Sequence, residues 1–130
     1  PAARPFGERF EIQDEIYMYK HWNPENVRVL MSLDYSGSPT NGTVNAEFGA
    51  HVPVAWVRSW GEGKIYYNNL GHREETWTNP AFLDSIAGAV KWIRGDAEGS
   101  SEPNPEVSRE WEQKSRADIN KYGFKAVNLD

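Results

Sequence analysis

The sequence predicts an α/β fold in which a layered sheet carries one strongly apolar helix. Residues 52–60 and 64–70 are apolar on both faces, which is typical of strands inside a layered sheet. The three residues between them, 61–63, form a Gly-rich connection that is too short for anything but an antiparallel hairpin. A polar loop follows, and then a helix with an apolar stripe. Strand, turn, strand, loop and helix therefore succeed one another without a break.

The N-terminal part of the chain predicts a further strand over residues 8–20. Alternate residues there form an apolar face that comprises Phe10, Ile12, Ile16 and Met18. Asp14 breaks the pattern because it falls on this apolar face, where a carboxylate must be paired, hydrogen-bonded or protonated. Asp14, next to Glu15, is therefore either a general acid with a raised pKa or a carboxylate that accepts backbone N–H groups from a neighbouring loop.

Two more segments separate this strand from the hairpin. Residues 27–34 alternate between Val27, Val29, Met31, Leu33 and more polar positions, which predicts a third strand. Residues 35–49 are rich in Gly, Ser, Asn, Thr and Pro and show no period. They predict a long surface loop, an unusual feature for a compact domain.

The helix after the polar loop has clear signals at both ends. Asn79 is a good N-cap, Pro80 a good first helical residue, and Gly95 a natural end. Its predicted apolar stripe comprises Phe82, Leu83, Ile86, Val90 and Ile93.

The C-terminal part divides into a linker at residues 96–104 and a second predicted helix at 105–122. The apolar stripe of this helix is thin and comprises Val107, Trp111, Ile119 and Tyr122. Such a helix suits docking on another surface better than standing alone. We therefore expect three parts, with residues 1–95 as the folded domain, 96–104 as the linker and 105–130 as a docking helix and tail.

The sequence predicts more strands than its helices can cover. At least three strands need cover on both faces, yet only one strongly apolar helix can supply it. We expect the chain to be incomplete alone, with the upstream half of its own domain or a partner subunit providing the rest. Without either, a large apolar patch would be exposed.

Composition excludes several classes of partner. A formal net charge of −5, with Lys and Arg scattered among acids, argues against nucleic acid. No stretch approaches the roughly 20 apolar residues needed to cross a bilayer, and no basic apolar stripe indicates membrane-surface binding. The chain has no cysteine, which removes disulfides, zinc–thiolate sites and thiol nucleophiles. His51, His72 and the acids show no helical ligand spacing, so we predict neither a metal site nor a cofactor.

His72 is the leading candidate for chemistry. It follows a predicted buried strand and precedes the helix, at the sheet edge where α/β proteins bind ligands. Glu74 would orient the imidazole for general acid–base work, while the alternative is a histidine that only holds its loop together. Among the tryptophans we expect Trp77, in the polar loop, to be exposed to a ligand, and we favour a core position for Trp56 and Trp92.

Residues 14–17, 53–58, 61–67 and 70–72, followed by Trp77, resemble the C-terminal portion of the trehalose-utilisation, or ThuA-like, family. The resemblance covers roughly residues 10–95. It implies a flavodoxin-like, three-layer α/β fold of the class I glutamine amidotransferase-like type, with the N-terminal part absent. In those relatives a histidine and a glutamate two residues later follow a strand, as His72 and Glu74 do here. Their cysteine nucleophile has no counterpart, so glutamine hydrolysis is not expected.

The resemblance implies processing or binding of a disaccharide or keto-sugar. In this hypothesis the catalytic residues are His72, Glu74, Asp14 and Glu15, and the substrate-binding residues are Trp77, Arg58, Trp56 and Gly71. The alternative is a non-catalytic, ThuA-derived subunit of a larger assembly, anchored by its C-terminal helix.

Overall fold

The computed structural model describes residues 1–38, 43–44 and 49–126. The strands are β1 (Arg28–Ser32), β2 (Thr43–Val44), β3 (Pro53–Trp60), β4 (Gly63–Asn68) and β5 (Lys125–Ala126), and the helices are α1 (Pro80–Arg94) and α2 (Pro105–Tyr122). Short 3-10 turns occupy Arg4–Phe6, Pro24–Asn26, Tyr35–Gly37 and Glu74–Thr78. This mixture of helix and sheet is compatible with the predicted α/β class. Neither helix has the length and apolar character that a membrane span requires.

The main sheet has three strands in the order β1-β3-β4, and both pairings are antiparallel. The predicted hairpin is confirmed, because β3 and β4 are joined by a tight turn at Gly61, whose φ of 57° suits glycine. The predicted strand at 27–34 is confirmed as β1. The predicted loop at 35–49 contains a 3-10 turn and β2, which pairs with β5 in parallel. Residues 39–42 and 45–48 of that loop lie outside the described residues.

The predicted strand over residues 8–20 is wrong, since this segment forms no ladder in the structure. Its backbone is bound by side chains instead: the Tyr17 N–H donates to Asn69 Oδ1 at 3.1 Å, and Asn69 Nδ2 donates to the Tyr17 carbonyl at 2.9 Å. The alternation nevertheless has the predicted effect, because Phe10, Ile12 and Ile16 pack against the core.

Helix α1 begins and ends where its signals predict. Asn79 Oδ1 accepts the backbone N–H groups of Ala81 and Phe82, and Gly95 ends the helix in the left-handed region. The predicted stripe is wrong in part. The buried residues of the helix are Phe82, Ser85, Ala89 and Trp92, whereas Leu83, Val90 and Ile93 are 45%, 49% and 44% exposed.

Close packing explains which face of α1 is buried. Ser85 Oγ lies 2.9 Å from the Tyr66 hydroxyl of β4, a contact that a bulky apolar side chain at this position would prevent. On the same helix, a Cβ added at Gly88 would lie 3.2 Å from the Pro1 backbone. Small residues therefore face the sheet and the N-terminal segment, and larger apolar residues remain outside.

Helix α2 has the predicted bounds and packs on this chain's own sheet. Asn104, just before it, receives a hydrogen bond from the Val29 N–H at 2.7 Å and donates one to the Val29 carbonyl at 3.0 Å. Its amide thus occupies the free edge of β1 as a neighbouring strand would. Within α2, Glu112 Oε2 accepts the N–H groups of Ala50 and His51 at 2.7 and 2.8 Å.

Two apolar clusters form the core. The first comprises Phe6, Val54, Leu70 and Phe82 and lies between the sheet and α1. The second comprises Tyr35, Val52 and Phe124, with Ile119 and Tyr122 of α2 packed against it. The first cluster supports the segment that follows Leu70, where the predicted site residues are found.

Candidate functional site

The half-buried carboxylate of Asp14 organises the loop after β4. The Asp14 carboxylate accepts hydrogen bonds from the backbone N–H groups of Gly71 (2.7 Å), His72 (3.1 Å), Arg73 (3.1 Å) and Glu15 (2.9 Å) and from the Thr76 hydroxyl (2.8 Å). We call residues 71–77 the Asp14 loop. Because one side chain binds three successive N–H groups, the loop is held in a single shape.

The protonation state of Asp14 follows from these bonds. Burial alone would raise its pKa, but the donors, led by the Gly71 N–H and the Thr76 hydroxyl, outweigh that effect and hold the pKa below its ordinary value. The raised pKa that a general acid needs is therefore not found. Of the two roles that the sequence left open, the structure supports the second, an ionised carboxylate that accepts N–H groups from a neighbouring loop.

Gly71 and Trp77 shape the two ends of this loop. Gly71 has a φ of 117°, which residues with a Cβ rarely adopt, so only glycine fits without strain; Phe82 and Trp77 lie at contact distance, 3.4 Å from where a Cβ would be. The Trp77 indole N–H donates to the Gly71 carbonyl at 2.9 Å, and its ring packs edge-on against Phe82. Trp77 remains 56% exposed, which confirms the exposure predicted for it.

His72 forms an ion-pair geometry with Glu15, its Nε2 lying 3.1 Å from Glu15 Oε2. The two side chains are 57% and 51% exposed, so solvent and ligands can reach both. The predicted pairing with Glu74 is wrong, since Glu74 begins a 3-10 turn and forms no ion pair with His72. Side chains two residues apart share a face in an extended strand, and the chain is not extended there.

A polar cleft of about 190 Å³ adjoins the Asp14 loop. It is lined by Ile12, Gln13, Arg73, Glu75, Thr76 and Asn79. Arg73 and Glu75 form a two-point ion pair, with Nε–Oε2 and Nη2–Oε1 distances of 3.3 and 3.1 Å. The Arg73 hydrogen bond lowers the pKa of Glu75 and keeps it ionised. We call this space the Arg73 cleft.

The structure does not bring Arg58 or Trp56 into this site. The Val54 carbonyl accepts the Asn69 N–H, which places the Asp14 loop beside the start of β3. Arg58 lies four residues further along, about 13 Å away at roughly 3.3 Å per residue. Its guanidinium stacks over the Trp60 ring at 4.4 Å. Trp56 stacks on Tyr67 at 5.2 Å, as part of an aromatic cluster on the sheet.

The residues of the Arg73 cleft were missed by sequence reasoning. Gln13, Thr76 and Asn79 carry no motif, and Asn79 reads only as a helix cap. Their signal is adjacency, because each is next to Asp14 or follows His72 within a few residues. No three His, Asp or Glu side chains in the described parts of the chain lie close enough together to hold a metal ion.

A second histidine site lies under α2. A hydrogen bond of 2.8 Å joins His51 Nε2 to Ser32 Oγ, and the His51 side chain is buried. Burial lowers the pKa of His51 to about 4, against the opposing effect of the Glu112 carboxylate. Its Nδ1 has no hydrogen-bond partner among the described residues. Ser32 and His51 are linked by no local sequence pattern, so the sequence alone does not reveal this contact.

Comparison with known proteins gives one match. The family model described as trehalose utilisation, ThuA, matches residues 1–93, which include the Asp14 loop and nearly all of α1. No curated protein and no solved structure matches the chain.

Proposed function

Because this chain belongs to the ThuA (trehalose utilisation) family, we propose that it binds a sugar at the Asp14 loop and that His72 moves a proton on it. The observation that carries the proposal is the exposed His72–Glu15 pair, at 3.1 Å on a loop fixed by Asp14. A carboxylate on one imidazole nitrogen sets the tautomer and orients the ring. The other nitrogen is then available for general acid–base work on a ligand.

The remaining residues of the site have supporting roles in this proposal. Asp14 is a positioning residue, since its carboxylate is saturated by donors of the loop. Trp77 offers an exposed ring on which the apolar face of a sugar can stack. The Arg73 cleft offers polar groups beside it. The family description, trehalose utilisation, favours a disaccharide as the ligand class, and a keto-sugar is the other class that the resemblance implies.

We also propose that the three-stranded sheet belongs to a larger flavodoxin-like layer. Tyr66 and Lys64 of β4 contact α1, so Ile65, between them in the strand, faces the opposite side of the sheet. On that side Trp60 is 67% and Ile65 39% exposed, which supports a further covering layer. The end of the family match at residue 93 supports the predicted boundary near residue 95.

The proposal is tested by removing the imidazole. His72→Ala should reduce turnover at least about a hundredfold, the lower end of what general acid–base groups supply, and should weaken sugar binding. His21→Ala is the matched control, because His21 is also exposed but lies outside the site. Calorimetric titration with trehalose and related disaccharides measures binding. Denaturant unfolding should place both variants within about 0.5 kcal/mol of the wild type. Unchanged binding and turnover in His72→Ala would contradict the proposal.

A second candidate function is a non-catalytic, ThuA-derived subunit of a larger assembly. The exposed apolar side chains of β3, β4 and α1 favour it, and they comprise Trp60, Ile65, Leu83, Val90 and Ile93. Since α2 packs on this chain's own β1, these residues suit docking better than α2 does. Native mass spectrometry of material from its source should then show a stable complex that Trp60→Ser weakens. A free chain that binds sugar would exclude this function.

A further inference from the structure

We infer that the site selects an uncharged sugar and excludes its phosphate ester. This inference rests on the proposed function, because it assigns the ligand class of the same loop and cleft. It depends on which charged groups of the Arg73 cleft are already paired with each other.

Arg73, the single cation among the described residues that line the cleft, already has two of its nitrogens paired. Arg73 uses both Nε and Nη2 on the two oxygens of Glu75. A two-point arginine–carboxylate pair is the arrangement by which arginine otherwise grips a phosphate. A phosphate group entering the cleft would therefore compete with Glu75 for the same donors. None of the other residues that line the cleft carries a positive charge.

The surroundings of the pair are acidic. Asp14 is ionised beneath the loop, and its charge acts on Glu75. Glu15 lies beside His72, and Glu74 is exposed in the adjacent turn. A phosphate monoester carries about −1.5 to −2 charges at neutral pH. It would meet several carboxylates and one cation that is already paired, so its approach is unfavourable.

Uncharged hydrogen-bonding groups remain free for hydroxyls. The Gln13 side chain makes no hydrogen bond with another described residue, and the Asn79 amide uses only its oxygen, as the cap of α1. Both side chains line the cleft, whereas the hydroxyl of Thr76, which also lines it, already donates to Asp14. Amides suit the mixed donor and acceptor character of sugar hydroxyls. The carboxylate of Glu75 can accept a hydroxyl hydrogen without losing Arg73.

The volume of the cleft limits how much of a sugar it can hold. At about 190 Å³ it is smaller than the ~300–1,000 Å³ of sites that enclose a drug-sized ligand. One sugar ring is therefore held in the cleft, and a second ring of a disaccharide extends toward Trp77 and His72.

Paired ligands test the inference by titration calorimetry on the whole chain. Trehalose and trehalose 6-phosphate form one pair, and glucose and glucose 6-phosphate form the other. We expect each uncharged sugar to bind at least about tenfold more tightly than its phosphate ester. The preference should shrink at 1 M salt, because screening weakens the repulsion. Glu75→Gln frees Arg73 and should reduce the preference at least about threefold. Glu62→Gln, an equal charge change in the exposed β3–β4 turn, should leave the preference unaltered.

Two results overturn the inference. The first is a phosphate ester that binds the wild type as tightly as its parent sugar. The second is a preference that changes with neither salt nor Glu75→Gln, because exclusion would then be steric. If the wild type binds no member of either pair, the proposed function itself fails, which is a distinct outcome.

Discussion

The two histidine regions of this chain use similar groups for opposite purposes. His72 is 57% exposed and pairs with Glu15, on a loop whose first three N–H groups, those of residues 71–73, donate to Asp14. His51 is 7% exposed, pairs with Ser32, and lies beneath α2 next to Glu112. Each histidine therefore has a carboxylate nearby. Only the first can meet a ligand.

The two regions differ in how a carboxylate binds the backbone beside the histidine and in whether the imidazole stays exposed. At the Asp14 loop a carboxylate below the backbone binds the loop from inside and leaves the His72 side chain outside. At His51 the Glu112 carboxylate binds the backbone of Ala50 and His51, while the imidazole itself is enclosed. A histidine and a carboxylate thus define a candidate site only when the backbone is fixed and the ring stays accessible. We expect changes at His51 to affect stability and changes at the Asp14 loop to affect binding as well.

The largest effect on stability should come from acid acting on His51. Its pKa is about 4 in the folded chain and about 6.5 when unfolded, so the unfolded chain takes up a proton first as the pH falls. The stabilisation is complete above pH 6.5 and is lost progressively down to pH 4, by about 3 kcal/mol. Denaturant titrations at several pH values from 7.5 to 4.5 measure this loss. Above pH 4.5 carboxyl groups contribute little.

His51→Gln should flatten that pH dependence, because glutamine does not titrate. His21→Gln, at an exposed histidine, should leave it as in the wild type. Equal slopes for the wild type and His51→Gln would show that the neutral buried imidazole is not the cause.

The next largest effect should come from Asp14. Asp14→Asn replaces one accepting oxygen with a donor that faces N–H and O–H groups, and loses the negative charge. We expect a loss of about 2 kcal/mol in the free energy of unfolding, the usual range for hydrogen bonds to a charged group. Sugar binding should fall with it.

The matched control is Asp84→Asn, at an exposed position of α1, which should cost less than about 0.5 kcal/mol. A variant Asp14→Asn with wild-type stability and binding would mean that the loop does not depend on its carboxylate.

Local signals fixed much of this fold in advance. The ends of α1 follow from Asn79 and Gly95, and the hairpin follows from the short Gly-rich connection, because both depend on residues close in sequence. The strand predicted at 8–20 was wrong, since the side chain of Asn69, some fifty positions away, hydrogen-bonds the N–H and carbonyl of Tyr17. The buried face of α1 was misplaced for a similar reason, as its Ser85 contacts Tyr66 across the layers.

Some residues of the candidate site could be recognised from the sequence, and others could not. His72, Asp14 and Trp77 were recognisable from residue type and position, and Asp14 in particular from its place on an apolar face. The partner of His72 was not recognisable, because the sequence pointed to the nearby Glu74, whereas the fold brings Glu15 next to His72. The Arg73 cleft depends on two segments, residues 12–13 and 73–79, that meet only in space.

A smaller effect on stability is expected at Gly71, whose φ of 117° no other residue adopts easily. Gly71→Ala should cost about 1–2 kcal/mol because of this backbone conformation, since the new methyl group would make only ordinary contact with the Trp77 ring at 3.4 Å. Gly63→Ala is the control, because its φ is not positive and its nearest contact, the Trp60 carbonyl, is 3.4 Å away. Unfolding by denaturant and Trp fluorescence measure both effects. Equal costs at the two glycines would refute the strained geometry assigned to Gly71.

Backbone amide NMR during a titration with trehalose compares the two regions most directly. We predict that the N–H signals of Gly71, His72 and Arg73 and the Trp77 indole signal shift with the sugar, while those of Ala50 and His51 do not. Such a pattern would place the ligand at the Asp14 loop. Shifts confined to Ala50, His51 and the residues around them would contradict this account, and so would the absence of shifts at any sugar concentration.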